Sequence, residues 1–217
     1  SDGDHLIENT NTGHGWIEGG KLIPVHTEFY LASCWAEALD QTAYIARRLR
    51  DNRLARRCTA ESLAVQKTMR RSFWNPETLS YNFGKNADGS FRKEETVLPA
   101  VAMYFGHTER EKAAPGLDRF ASAKFSTDWG TRIVGGDSPL YNPAGYHYGS
   151  IWPLVTGWTS LAEFMNNRPA AGFVHAMSNL LLGAHWAVGY VPEVLHGEKM
   201  ESAGRCPHQA WSSSMLI

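Results

Sequence analysis

Residues 151–186 read IWPLVTGWTSLAEFMNNRPAAGFVHAMSNLLLGAHW. Two helix-length runs, Ile151 to Asn166 and Ala170 to Trp186, flank a tight Asn-Asn-Arg-Pro turn. A short turn between two helices packs them as neighbours, so the stretch predicts a helical hairpin. The segment from Pro169 to Pro192 is apolar enough to raise the question of a membrane. It carries His175, Asn179 and His185, which a lipid-facing span would have to shelter. A helix buried on all sides inside a protein fits better, with both histidines as satisfied core residues.

Upstream the pattern repeats. Glu28 to about Asn52 reads as a long helix, with Leu31, Trp35, Leu39, Tyr44, Ile45 and Leu49 at three- and four-residue spacing. A second helix begins near Thr59, a possible cap, and carries Leu63, Val65, Met69 and Phe73. Residues 86–90, Asn-Ala-Asp-Gly-Ser, predict a hairpin turn between Tyr81–Phe83 and Phe91. Its Asx-Gly content resembles a calcium loop, but the later ligand positions are missing. Short helices are expected over Thr96–Phe105 and Leu117–Lys124, and another from Gln209. About six helices, few strands and long loops make an all-α chain. No repeat of fixed period stands out.

The chain has 217 residues, 21 Lys+Arg against 22 Asp+Glu, and 43% apolar residues. This is globular composition with no global pull toward nucleic acid or anionic membrane. One charge cluster exists: nine basic residues and two acids lie between Arg47 and Arg71. It reads as the solvated face of an outer helix rather than a nucleic-acid surface, since no aromatic or glycine-rich motif interleaves. Three scattered cysteines give no C-x-x-C and no disulfide framework, which favours a reducing, cytoplasmic setting. The first residues do not form a signal peptide. Both ends look cut, so residues 1–217 are expected to be part of one domain of a larger protein.

The loops hold the unusual residues: Gly13–Gly20, Thr127–Arg132, Tyr146–Pro153, and Gly189–Glu193 with Cys206–Ser212. Breaking a glycosidic bond needs an acid for the leaving oxygen and a base or nucleophile opposite. A carboxyl against an indole stays protonated more readily, which suits Glu18 beside Trp16 to the acid role. Glu193, between Val191-Pro192 and Val194, suits the base. Aromatic rings beside polar groups also suit a sugar, with its apolar faces and rim of hydroxyls. Trp129, Trp152 and Trp211 could supply the rings, or could simply fill the core. Arg132, His147 and Gln209 could supply directed hydrogen bonds. No H-E-x-x-H, G-x-S-x-G or phosphate loop occurs, so neither a metal nor a cofactor is expected.

These loop motifs resemble a known family. Tyr146-His147-Tyr148-Gly149-Ser150-Ile151-Trp152-Pro153, Val191-Pro192-Glu193 and Cys206-Pro207-His208-Gln209-Ala210-Trp211-Ser212 run in the order found in the glucosidase domain of glycogen-debranching enzymes. Related processing α-glucosidases and mannosylglycerate-type hydrolases look similar. Asp128–Arg132 matches too, as does Gly15-Trp16-Ile17-Glu18 in the place of a Trp-x-Asp motif. The resemblance implies an (α/α)6 barrel of six helical hairpins, of which this chain is roughly the C-terminal half, with the long loops gathered at the active-site end. It implies inverting hydrolysis of α-linked glucosides, with Glu193 as base and Glu18 as acid. Trp16, Trp129, Arg132, Tyr146, His147, Trp152, Gln209 and Trp211 would line the sugar site, with no metal, no nucleic acid and no membrane.

The match has departures. Glu18 stands where the family has Asp, Tyr148 replaces a basic residue, and Arg92–Leu98 lacks the usual Arg-Pro-Asn-like run. Two other readings keep a similar scaffold. One is a non-catalytic carbohydrate-binding toroid; the other is a sugar isomerase or epimerase using His14 and His147. Half a barrel by itself would expose a large apolar face.

Overall fold

The computed structural model describes residues 3–9, 15–185 and 189–216. The chain divides into two compact units, Ser1–Glu94 with Phe105–Glu109, and Glu95–Tyr104 with Arg110–Ile217.

The first unit is built on helices α1 (Phe29–Arg48) and α2 (Asn52–Ser72). Ser62 Oγ donates to the Ala36 carbonyl, Gln66 Nε2 to Asp40, and Arg47 to Thr59. Partner numbers fall on α1 as they rise on α2, so the pair is antiparallel. The buried stripe of α1 is Phe29, Ala32, Ala36, Leu39, Ala43 and Ala46, and that of α2 is Ala55, Cys58, Ser62, Val65 and Met69. Steps of three and four alternate along both, the spacing of a coiled-coil seam. This corrects the expected α1 stripe: of its six large residues only Leu39 is buried, and Leu49 is 76% exposed. Alanines win the seam because short side chains let the two backbones approach closely.

The break between the helices also differs from expectation. Arg50 adopts the left-handed conformation (φ 62°) that ends α1. Asp51 then caps α2, its Oδ1 accepting from the Leu54 N–H at 2.9 Å. Thr59 therefore lies inside α2, not at its start. Short strands complete the unit. β1 (Thr27–Glu28), β4 (Gly84–Lys85) and β5 (Phe91–Arg92) form one antiparallel sheet, and β2 (Trp74–Asn75) pairs with β3 (Ser80–Tyr81). The turn at 86–90 forms as anticipated, with Asp88 Oδ1 accepting from the Ser90 amide and hydroxyl. Phe29 stacks on Tyr81 at 4.5 Å and meets Phe73 at 5.6 Å, joining helix to sheet.

The second unit contains α3 (Pro99–Tyr104), α4 (Arg110–Phe120), strands β6 (Ser126–Thr127) and β7 (Gly130–Thr131), α5 (Pro153–Met165), α6 (Pro169–His185) and α7 (Ala210–Ser213), followed by a 3-10 turn, Ser214–Leu216. The predicted hairpin at 151–186 is α5 and α6. It is antiparallel: Ser160 Oγ donates to the Gly172 carbonyl and Asn179 Nδ2 to that of Pro153, both at 2.8 Å.

Helix α6 is not buried on all sides. It turns Gly172, His175, Ser178, Asn179 and Leu182 inward and exposes Phe173, Val174, Leu180 and Leu181. Asn179 Nδ2 finds its acceptor on α5, and Ser178 Oγ donates back to the Val174 carbonyl of its own helix. His175 lies 3.3 Å from Thr131 Oγ1, and burial pushes its pKa down to about 4, keeping the ring neutral. His185, expected in the core, is exposed. In the last turn of α5, the fully buried Glu163 pairs with Arg168 Nε at 2.5 Å, and Arg168 reaches Asp118 of α4 at 2.7 Å. Lys124 and Arg119 close on Glu95. Among the described residues no helix is long and apolar enough to cross a membrane.

Candidate active site

In the second unit Tyr146 meets Glu193, with Trp152 and His147 packed against Tyr146. The backbone of Ile151 exchanges two 2.9 Å hydrogen bonds with Leu195, so the segment after Tyr146–Ser150 runs beside the Val191–Leu195 strip. Glu193 N–H donates to the Cys206 carbonyl, and Gln209 N–H to that of Val191, folding the Cys206–Gln209 loop back on the same strip. Apolar Val191, Pro192 and Val194 are buried around Glu193, whose own exposure is 8%. Both carboxylate oxygens are held. Tyr146 donates its hydroxyl to Oε1 at 2.7 Å, and the Cys206 amide faces Oε2 at 3.4 Å. A carboxylate gripped at both oxygens cannot turn, yet each oxygen keeps a lone-pair direction for a water proton.

Tyr146 is itself supported. The Trp152 indole N–H donates to its carbonyl at 2.9 Å, and the two rings meet edge to face at 4.6 Å. Trp152 is 2% exposed, so it acts as a buttress and offers no face to solvent. His147, also buried, lies parallel to that indole at 5.8 Å. Gly130 (φ 138°) lets the backbone pass Thr156, whose Oγ1 a Cβ would meet at 2.6 Å. Trp129 packs on Ile151, Leu182 and Leu195 and donates its N–H to the His196 carbonyl. The Arg132 guanidinium donates to the carbonyls of Gly197 and Ala123 and lies over Tyr141, holding loops together. Gln209 caps α7 through Oε1. Trp211 is 43% exposed and Tyr190 53%, giving open aromatic surface. Arg205, which the motif reading passed over, places its guanidinium 5.2 Å over the Tyr146 ring.

In the first unit, Trp16 is half-buried and edge-on to Tyr30 at 6.2 Å, Ile17 is fully buried, and Glu18 is exposed. The expected burial of Glu18 against the Trp16 indole is thus not what the structure shows. The carboxyl that burial does change is Glu28, 1% exposed and missed by the motif reading. Burial pushes its pKa up to about 7, although the nearby Asn9 side chain and Trp16 amide favour the charged form. Among the described residues neither oxygen has a well-formed hydrogen bond. Its signal in the sequence was a lone acid at the head of an apolar helix. Burial also raises the pKa of Tyr30 and of the Cys34 thiol, with Glu28 adding to both. His14 lies outside the described residues.

A group with metal-ligand spacing occurs in the first unit: Glu37 and Asp40 face His107 Nε2 at 3.4 and 3.5 Å. Gln66 also donates to Asp40, Gln41 to Glu37, and Arg70 to the His107 carbonyl. These hydrogen bonds account for the cluster as a strut between α1, α2 and residues 105–109.

A model of the mannosylglycerate hydrolase MGH1-like glycoside hydrolase domain matches residues 5–212. No curated protein matches the sequence significantly. Among solved structures, the GH63 mannosylglycerate hydrolase of Thermus thermophilus, in complex with glucose, superposes with a TM-score of 0.73 at 14% identity, over 88% of this chain and 47% of that one. Neutral trehalase Nth1 of Saccharomyces cerevisiae gives 0.70 at 12% identity, over 88% and 37%. A protein described as a sialidase gives 0.71 at 17% identity, over 93% and 19%. The chain thus spans less than half the length of each.

Proposed function

The chain belongs to the mannosylglycerate hydrolase MGH1-like glycoside hydrolase domain family, and on that premise we propose that it hydrolyses α-linked glycosides with inversion, Glu193 acting as general base and Glu18 as general acid. The observation that carries the reading is the grip of Tyr146 and Cys206 on the buried Glu193 carboxylate. Glu193 takes a proton from water as that water attacks the anomeric carbon. The C–O bond to the leaving group breaks, and Glu18 supplies the proton to the departing oxygen. Tyr146 fixes the base, Trp152 fixes Tyr146, and the exposed ring of Trp211, with the half-buried Trp16, offers stacking surface for sugar.

The finer assignment is an α-glucoside of the oligosaccharide or glycogen-branch type, supported by the loop motifs quoted above. The structural relatives, a mannosylglycerate hydrolase and a trehalase, add mannosylglycerate and trehalose as substrates to try. The apolar face of α6, Phe173 to Leu181, supports a partial barrel whose remaining helices cover it.

The test is Glu193→Gln in the full-length protein. Turnover of aryl α-glucosides and mannosylglycerate should fall by ~10³-fold or more while sugar binding persists. Proton NMR of the first product anomer should show inversion. A variant with near-normal rate overturns the base assignment, and sugar binding without any turnover by the unmodified protein would favour the carbohydrate-binding reading.

A further inference from the structure

A buried carboxyl lacking a full hydrogen bond is expensive, and native structures seldom carry one without a reason. Among the described residues Glu28 is such a group. It immediately precedes α1, where the helix dipole favours a negative charge, but its burial opposes one. Its surroundings come from several segments: Asn9, the Trp16 amide, and Tyr30 and Cys34 on α1.

Gly15 also lies against this carboxyl. A Cβ built on Gly15 would stand 1.8 Å from Glu28 Oε2 and 2.5 Å from its Cδ. The carboxyl therefore fills the space that a side chain at position 15 would need. Three residues on, the same loop presents Glu18 to solvent, with Ile17 fully buried between. The loop is thus pinned at Gly15–Trp16 and at Ile17, and Glu18 stands on that anchor.

We propose that Glu28 is a positioning residue of the hydrolytic reaction: its carboxyl seats the Gly15–Trp16 backbone and so sets where Glu18 is presented to the glycosidic oxygen. The role rests on the reading of Glu18 as acid. As a neutral acid, Glu28 can donate one hydrogen bond and accept others within the loop. Ionised, it would place a charge beneath the loop and loosen the seat.

Two readouts separate this role from the hydrolase reading. The first is the Trp16 fluorescence of the full-length protein, taken as the difference from Trp16→Phe over about pH 5 to 9. It should titrate near pH 7 and lose that transition in Glu28→Gln. The second is steady-state kinetics. Glu28→Ala should lower kcat by ~100-fold with little change in KM, and Glu28→Gln should recover at least ~10-fold of that loss. If Glu28→Ala does not fold, Glu28→Asp, which withdraws the carboxyl by one methylene, carries the same kinetic expectation. A Trp16 signal without that transition, or a folded Glu28→Ala with unaltered kcat, overturns the proposal. A protein that hydrolyses no glycoside yet shows the Trp16 transition refutes the hydrolase reading alone.

Discussion

Tyr146 joins a buried indole to a carboxylate. Its hydroxyl donates to Glu193 Oε1 at 2.7 Å while its carbonyl accepts from Trp152 Nε1 at 2.9 Å. Orientation of Glu193 thus passes from the core through one side chain. Tyr146→Phe removes the hydroxyl and keeps the ring. It should lower kcat by ~30-fold and leave KM within about threefold, because misplacing the proposed base costs rate more than binding. Trp152→Phe should act in the same direction, and the double variant should lose less than the product of the two. Steady-state kinetics on an aryl glycoside checks all three.

Glu28 and Gly15 occupy one space, and a double-mutant cycle should show it. Gly15→Ala drives a methyl onto the Glu28 carboxyl and should cost about 1–3 kcal/mol, the range for overpacking. In a Glu28→Ala background that space is free, and the same change should cost less by about 1 kcal/mol or more. Denaturant unfolding of the four proteins measures the coupling.

Two buried groups should give opposite dependences of stability on pH. Glu28 has its pKa raised from 4.5 to about 7. Its contribution is complete below the unfolded value and is lost as pH rises toward 7. His175 has its pKa lowered from 6.5 to about 4. Its contribution is complete above the unfolded value and is lost as pH falls from 6.5 toward 4. Each amounts to on the order of 3 kcal/mol across its window. The two slopes nearly cancel in the unmodified protein. Glu28→Gln should therefore show stability rising with pH between about 4 and 6.5, and His175→Gln should show it falling between about 4.5 and 7. Melting curves at closely spaced pH values check the signs.

The Glu163–Arg168 pair should behave as a buried charge with a single partly exposed partner. Glu163 is fully buried and Arg168 30% exposed. Arg168→Met strands the carboxylate and should cost about 2–3 kcal/mol, less than a wholly buried pair because water reaches the guanidinium. Adding Glu163→Gln should recover at least half. Equilibrium unfolding at neutral pH distinguishes the outcomes.

Much of this was legible beforehand. The α5–α6 hairpin and the turn at 86–90 follow from local spacing and turn chemistry, while the meeting of the Tyr146, Glu193 and Cys206 loops was implied by the family resemblance. The α1 stripe was misread because large apolar residues mark periodicity but not which face the partner helix prefers. Ala32, Ala36 and Ala43 could take the seam only once α2 presented its own small residues. Glu28 escaped notice for the same reason: nothing beside it in the chain signals that Asn9, Gly15 and Trp16 close over its carboxyl.

The amino-acid order by itself determined the helical class, the hairpin pairing and the resemblance to glycoside hydrolases, because helix periodicity and contiguous loop motifs are carried by residues close in the chain. Tertiary packing alone decided which carboxyl is desolvated, which tryptophan is a buttress and which apolar face of α6 is open. Those properties depend on neighbours dozens of positions away, whose approach removes water from one group and leaves it on another.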